Sequence, residues 1–376
     1  MLAALTLALF GALIGSFANV VIYRLPRGES IVFPGSHCPN CGRELGALEL
    51  VPVLSWAALG ARCRSCKNSI SARYPFVETL FALGFFTLAL RYPLATYGPV
   101  VFPLLALFAL LVILAAIDLD TQLLPDVLTF PALAVALSGT AFYTPESGLP
   151  NLLGALYGAC LGAGLLALLN RVGALVLRRF GDTGERLWPL GMDQVNVGAL
   201  LGVFGWPFGF LGAAGSLALN AATRRTLRLP EPLAYGLWLV ALVVMSVLLP
   251  GPLTAVSGSL VAAGGAALVG ALYWWLHDLK NPAETNELTD EDDEPVAMGF
   301  GDVKLAGVLG AMLGAQNLLV ALLLAFVFGA LGGLLGKVLG RGRVVPFGPY
   351  LVLGALTALF YGTPLVTWYL GLLGVS

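Results

Sequence analysis

Apolar runs of roughly 20 residues recur from one end of this chain to the other, and each is long enough to cross a hydrocarbon layer of about 30 Å. No other feature restricts the fold so strongly. Charged residues make up 11% of the chain, against about 25% in a soluble globular protein. Hydrophobic residues reach 58%, with 47 glycines among 376 residues. The chain reads as an all-α polytopic membrane protein with about 11–12 transmembrane helices. Its net charge of −1 carries no argument for nucleic acid. The first run, MLAALTLALFGALIGSFANVVIY, lacks a basic leading segment and is too long for a signal peptide, so a retained helix over residues 1–23 is expected.

Helices that are apolar all round have little periodicity, so runs and breaks carry the reading. The candidate spans begin with Leu2–Tyr23 and end with Phe347–Phe360. Two of them, Val195–Phe204 and Phe208–Asn220, flank Pro207 and read as two pieces or as one kinked helix. Placing residues 24–73 in the cytoplasm and alternating from there puts 19 of the 20 Lys and Arg inside, leaving only Arg91 outside. The positive-inside rule favours that orientation. The acidic run NELTDEDDEP also falls inside and reads as a solvated loop.

The first of these loops, residues 24–73, contains CPNC (Cys38, Cys41) and CRSC (Cys63, Cys66), with 21 residues between the pairs. Each CxxC turn can offer two thiolates to one tetrahedral ion, and this spacing fits a zinc-ribbon-like site. Two disulfides are the structural alternative, disfavoured in a reducing cytosol. A redox role for one pair is weaker. A loop of this size buries too little apolar surface to fold alone, and metal binding supplies what is missing. His37 reads as a loop residue, and Cys160, in a Gly/Ala-rich span, as a small packing residue.

Carboxylates gather at the membrane border. IDLDTQLLPD brings Asp118, Asp120 and Asp126 to the end of the third span, and MGFGDVK opens a later one with Asp302 and, two positions on, Lys304. Any one of these reads equally as a helix-end carboxylate facing water. At Asp302 a helix N-terminus itself favours negative charge. An ionisable group entering a span is nonetheless costly and points to function. Two aspartates at one depth cannot both ionise cheaply, and a shared proton makes one a general base toward water and the other a general acid toward a scissile carbonyl. Gly299 and Gly301 let the backbone come close to a substrate. The two histidines, His37 and His277, sit in no nucleophile context.

GSFANVVIYRLPRGESIVFPGSHCPNC, VPVLSWAALGARCRSCKNSISARYPFVE, IDLDTQLLPD, GFGDVKLAGVLGAMLGA and VVPFGPYLVLGA together resemble the type IV prepilin peptidase family. These are the bifunctional leader peptidases and N-methyltransferases of type IV pilus and type II secretion systems. The resemblance covers residues 10–130 and 298–362. It implies a GxGD-type membrane aspartic protease of the cell inner membrane. Such an enzyme cuts the leader of prepilins or pseudopilins at the cytoplasmic face, then methylates the new N-terminus with S-adenosylmethionine. Carried over by motif, Asp118 and Asp302 take the catalytic roles, with Asp126, Lys304, Gly299 and Gly301 as supporting positions. The four cysteines would hold a structural zinc. No residue is assigned to S-adenosylmethionine. Two other readings stay open: a peptidase that does not methylate, and a membrane transporter with a zinc-stapled loop.

The chain departs from the family pattern between its motifs. LPD and GxGD normally lie much closer than the 176 positions separating Asp126 from Asp302. Shifted by 108, PLGMDQVNVGALLG overlays AMGFGDVKLAGVLG, so that Gly191 meets Gly299, Gln194 meets Asp302 and Gly202 meets Gly310. RRTLRLPEPLAYG echoes RGRVVPFGPYLVLG. Either the chain contains an internal duplication or two Gly/Leu-rich segments look alike by chance. The expected organisation is a first helix (1–23), the cysteine loop (24–73), helices carrying the first aspartate (74–150), an inserted, duplicated, non-catalytic segment (151–252) and helices carrying GxGD (253–376). Asp193, one position from Gln194, and Asp182 are read as decoys.

Overall fold

The computed structural model describes residues 1–176, 190–226, 231–248, 252–281, 299–338 and 346–372. Asp182, the acidic run and Arg341 and Arg343 lie outside the described residues. The longer helices are α1 Leu2–Arg24, α2 Arg73–Arg91, α3 Val101–Thr121, α4 Asp126–Gly139, α5 Leu152–Val176, α6 Met192–Gly202, α7 Trp206–Thr223, α8 Glu231–Leu248, α9 Pro252–Lys280, α10 Phe300–Val338 and α11 Gly348–Leu372. Among the described residues, six helices are long and apolar enough to cross a membrane: Leu2–Arg27, Leu94–Thr121, Leu152–Asn170, Leu253–Lys280, Phe300–Val338 and Gly348–Leu372. Asp126–Phe142 and Leu233–Met245 are apolar but shorter. Large apolar side chains such as Leu9, Leu13, Val247 and Leu335 remain exposed. That distribution fits a lipid-facing surface, and the protein is a multi-pass helical membrane protein.

The chain divides into two compact units. The first comprises Met1–Leu149 and Ala325–Leu353. Its core is aromatic. The Phe108 ring meets Phe81 and Phe85 edge-on at 5.8 and 6.0 Å, a favoured arrangement for π-systems. Helix α1 approaches α2 through Gly11 and Gly15, where a Cβ would fall 2.7 Å from the Phe81 carbonyl oxygen and 2.9 Å from the Glu78 Cα. Helix α3 is buried along most of its length, from Leu104 to Ile117. It stops at Gln122, whose left-handed backbone (φ 57°) turns its N–H back to the Asp118 carbonyl at 2.9 Å. Pro125 then precedes α4.

The second unit comprises Pro150–Leu324 and Gly354–Ser376. Here small residues set the packing, as expected where helix association rests on close van der Waals contact. In α5 and α10, Gly158 and Gly310 each lie against the other's carbonyl, and Gly162 lies against the Ala306 carbonyl. In α9 and α6 the same pattern recurs: a Cβ at Gly202 would meet the Gly258 carbonyl oxygen at 2.7 Å, and one at Gly198 the Ala262 carbonyl oxygen at 3.3 Å. Helices α5 and α9 then cross reciprocally, with Gly164 against the Leu260 carbonyl and Gly264 against that of Cys160.

Pro207 does not kink one helix. Gly205 (φ 125°) separates α6 from α7, and α7 folds back so that a Cβ at Gly209 would lie 2.7 Å from the Gly198 carbonyl oxygen. Proline is tolerated in the first turn of α7 because its missing N–H would have no partner there. Helix α10 is kinked at Gly314 (φ 70°, ψ 172°), a backbone conformation that side chains resist.

Candidate functional site

The cysteine loop folds as two matching knuckles. In the first, the Cys38 N–H donates to Arg43 O at 2.9 Å, Gly42 N–H to Cys38 O at 2.9 Å, and Leu45 N–H to Ser36 O at 2.8 Å. In the second, Cys63 N–H donates to Asn68 O at 2.8 Å, Lys67 N–H to Cys63 O at 3.0 Å, and Ile70 N–H to Ala61 O at 2.7 Å. The left-handed residue that closes each turn is Gly42 in one and Lys67 in the other (φ 69° and 58°). Each knuckle turns both of its thiols inward, and all four sulfurs lie within 4.8 Å of one another. Cys38 Sγ and Cys66 Sγ are 3.8 Å apart. A tetrahedral zinc with Zn–S bonds of about 2.3 Å places its sulfurs about 3.8 Å apart, so the donor set fits that ion in number, type and spacing. The cysteines are not disulfide-bonded.

Backbone amides lower two of these thiols, whereas at Cys41 the Arg43 amide is outweighed by burial and the neighbouring thiols, which hold it up at about 11. The N–H groups of Cys66 and Ser65 hold the Cys63 thiol down at about 6, and the Asn68 amide lowers Cys66. Buried polar side chains tie the loop to the helices. Arg24, 7% exposed, donates to the carbonyls of Ser30, Pro34 and Gly35 at 3.0, 2.7 and 3.2 Å. The Val53 N–H donates to Glu78 Oε2 at 2.7 Å, and between the helices Asn19 Nδ2 of α1 donates to the Tyr74 carbonyl in the first turn of α2 at 3.2 Å. Sequence reasoning passed over these three residues. The signal was present: each is a polar residue inside or at the edge of an apolar run.

The carboxylates separate by environment. Asp118, in the last turn of α3, is 5% exposed, and its Oδ2 accepts the Gly348 N–H at 3.0 Å. Asp120, two residues on, turns outward and pairs with Arg73 at 2.6 Å. Asp126 is the first residue of α4. Asp302 is 9% exposed in the first turn of α10, where its N–H donates to the Gly299 carbonyl at 3.1 Å. Lys304 Nζ sits 5.9 Å from the Phe300 ring centre. Asp118 belongs to the first unit and Asp302 to the second.

At the position 108 residues before Asp302, Gln194 stands in the first turn of α6. Its N–H donates to the Gly191 carbonyl at 3.3 Å, its Oε1 accepts the Gly191 N–H at 2.8 Å, and its Nε2 donates to Ser216 Oγ at 3.3 Å. The backbone entry matches that of Asp302; the side chain is a cap.

Comparison with known proteins agrees with the motifs. A bacterial peptidase A24 N-terminal domain model matches residues 9–92. A model of the type IV leader peptidase family matches two successive stretches, residues 105–222 and 224–334. A prepilin leader peptidase/N-methyltransferase of Myxococcus xanthus is 42% identical over 54% of this chain and 56% of its own length. One of Dickeya chrysanthemi is 34% identical over 62% of this chain and 88% of its own. A type 4 prepilin-like proteins leader peptide-processing enzyme of Escherichia coli is 36% identical over 51% and 73%. The chain thus spans just over half of the Myxococcus relative and most of the other two. No solved structure matches. With both domain models matched in order, and with relatives covered over most of their length, the chain belongs to the type IV leader peptidase family.

Proposed function

We propose that this enzyme cleaves the leader of prepilins or pseudopilins at the cytoplasmic face of the inner membrane, with Asp118 and Asp302 as its catalytic carboxylates. It then methylates the new N-terminus using S-adenosylmethionine. The observation that carries the peptidase reading is the burial of two motif carboxylates, Asp118 at a helix end and Asp302 at a helix start, beside an exposed and ion-paired Asp120. Ionised, one carboxylate takes a proton from water as the water oxygen bonds to the scissile carbonyl carbon. Protonated, the other gives its proton to the carbonyl oxygen, and collapse of the adduct with proton transfer to nitrogen releases the leader. Gly299 and Gly301 keep the backbone beside Asp302 open to a peptide, Lys304 sets charge two residues on from it, and Asp126 sets charge at the start of α4.

Cys38, Cys41, Cys63 and Cys66 hold a structural zinc that shapes the loop. The methyl-transfer reading rests on the names of the relatives. Purified enzyme in proteoliposomes with a prepilin tests both activities. Asp118→Asn and Asp302→Asn should abolish cleavage. Mass spectrometry of the product should show a methylated N-terminal residue, and a free one would restrict the enzyme to the peptidase step.

The segment 151–252 is proposed to be the inserted, non-catalytic copy. Two constant offsets support this: 108 carries Gly310 and Ala306 onto Gly202 and Gly198, and 100 carries Gly158 and Gly162 onto Gly258 and Ala262. Both sets sit at close helix contacts. Gln194 then occupies the copy's GxGD position with an amide that cannot share a proton.

A further inference from the structure

Helix α11 begins at Gly348, and its first turn can be accounted for donor by donor. The N–H groups of Tyr350 and Leu351 both donate to the Phe347 carbonyl at 3.1 Å. Pro349 has no N–H. The Gly348 N–H has no partner within the helix and donates to Asp118 Oδ2 at 3.0 Å, 230 residues back along the chain. Gly348 is buried and Asp118 is 5% exposed, so water competes little for this bond. The turn is anchored on its far side by the Phe347 ring, 5.2 Å from that of Phe326.

Sterics make the position specific. A Cβ at residue 348 would lie 2.6 Å from Asp118 Oδ2 and 3.2 Å from its Cγ. Any residue other than glycine forces that carboxylate to move. Electrostatics act in the same direction. A carboxylate in the last turn of α3 faces the partial negative charge of its own helix end, and the N-terminus of α11 supplies the opposing partial positive charge.

We propose that Gly348 is a positioning residue for peptide cleavage. Its amide fixes Oδ2 of Asp118 as a hydrogen-bond acceptor and leaves Oδ1 as the oxygen that takes the proton from the attacking water. The amide exchanges no proton in the step; the water O–H bond breaks, its oxygen bonds to the scissile carbon, and its proton passes to Oδ1. This inference rests on Asp118 being catalytic.

The test uses the full-length enzyme in proteoliposomes with a prepilin substrate. Gly348→Ala should lower kcat by about 10–100-fold, the range for losing a hydrogen bond to a charged group in an oriented site, with KM within about threefold. Replacing residue 348 by the corresponding α-hydroxy acid removes the N–H without adding a Cβ and should lower kcat in the same way. Gly336→Ala, where a Cβ meets nothing within 4 Å, should turn over as wild type. Retained kcat in the ester variant overturns the proposal, and so does a rise in KM alone in Gly348→Ala. If the alanine variant fails to fold, the ester variant decides. An Asp118→Asn enzyme that still cleaves defeats the catalytic reading itself, whereas an inactive Asp118→Asn beside a fully active ester variant defeats only the role of Gly348.

Discussion

Removing metal from the cysteine loop should unfold the loop and leave the membrane helices in place. From Leu25 to Tyr74, Cys38 and Cys63 are the only buried residues. The two short helical turns within it, Ala47–Leu50 and Leu54–Ala58, bury nothing. With no apolar core, the hydrophobic term that holds an ordinary domain is missing, while ordering a residue's backbone costs about 1–2 kcal/mol. Docking bonds from Arg24 and Glu78, at about 1.5–3 kcal/mol for each bond to a charged group, offset only a few residues' worth. A four-thiolate zinc site, at about 10–16 kcal/mol in small peptides, is the one contribution of the required size. Metal content by mass spectrometry should be one ion per chain. After chelation, or in Cys63→Ser, amide exchange should become fast across residues 36–70 and stay slow in α1, α2 and α3. Zinc takes cysteine only as thiolate, so protons compete with the ion, and metal should be released on acidification. Slow exchange in the loop after complete metal removal would refute this account.

Neighbouring carboxylates should respond differently. Asp120→Asn removes a half-exposed ion pair with Arg73 and should cost at most about 1 kcal/mol of stability, read by thermal unfolding in detergent, with cleavage retained. Asp118→Asn should eliminate cleavage at unchanged melting temperature. Gly164→Leu and Gly264→Leu insert side chains at reciprocal contacts and should destabilise by similar amounts, on the order of 1–3 kcal/mol or more each, in the same unfolding assay. Gln194→Asp should not restore cleavage to Asp302→Asn, since it places an acid at the start of α6 alone; recovered turnover would show that the proposed copy can host chemistry.

Much of this organisation was legible because lipid leaves few options. Long apolar runs announced the spanning helices, and two CxxC pairs with their spacing announced a four-sulfur cluster that the fold assembles. What stayed hidden depends on rotation and long-range closure. IDLD contains two aspartates, and hydropathy cannot say which one faces inward. The helix turns by about 100° per residue, so two positions carry Asp120 away from the face that buries Asp118. Gly348 lies within VVPFGPYLVLGA, and nothing local in that motif gives it a role, because its partner lies 230 positions away. The break after α6 was read as a choice between two pieces and one kinked helix. It is a fold-back at Gly205, and the glycines that permit it meet only in three dimensions.

The reciprocal crossing of α5 and α9 would give the proposed copy a physical role apart from chemistry. Leu260 and Gly264 stand 100 positions from Cys160 and Gly164, and each pair contacts the other through the same atoms. A contact that maps onto itself when its two sides are exchanged is the signature of a two-fold interface, in which one patch must be complementary to itself. Between lipid-exposed helices such a patch gains nothing from the hydrophobic effect and depends on close backbone approach. Glycine at both 164 and 264 supplies that approach. Within one chain, α9 is tethered to α5, so the cost of bringing two partners together is reduced to loop closure. The face of α5 opposite its contact with α10 is therefore covered at any protein concentration. If 151–252 is a copy, its glycines Gly158, Gly164 and Gly202 shape these contacts, while at position 194 an amide that caps its own helix suffices.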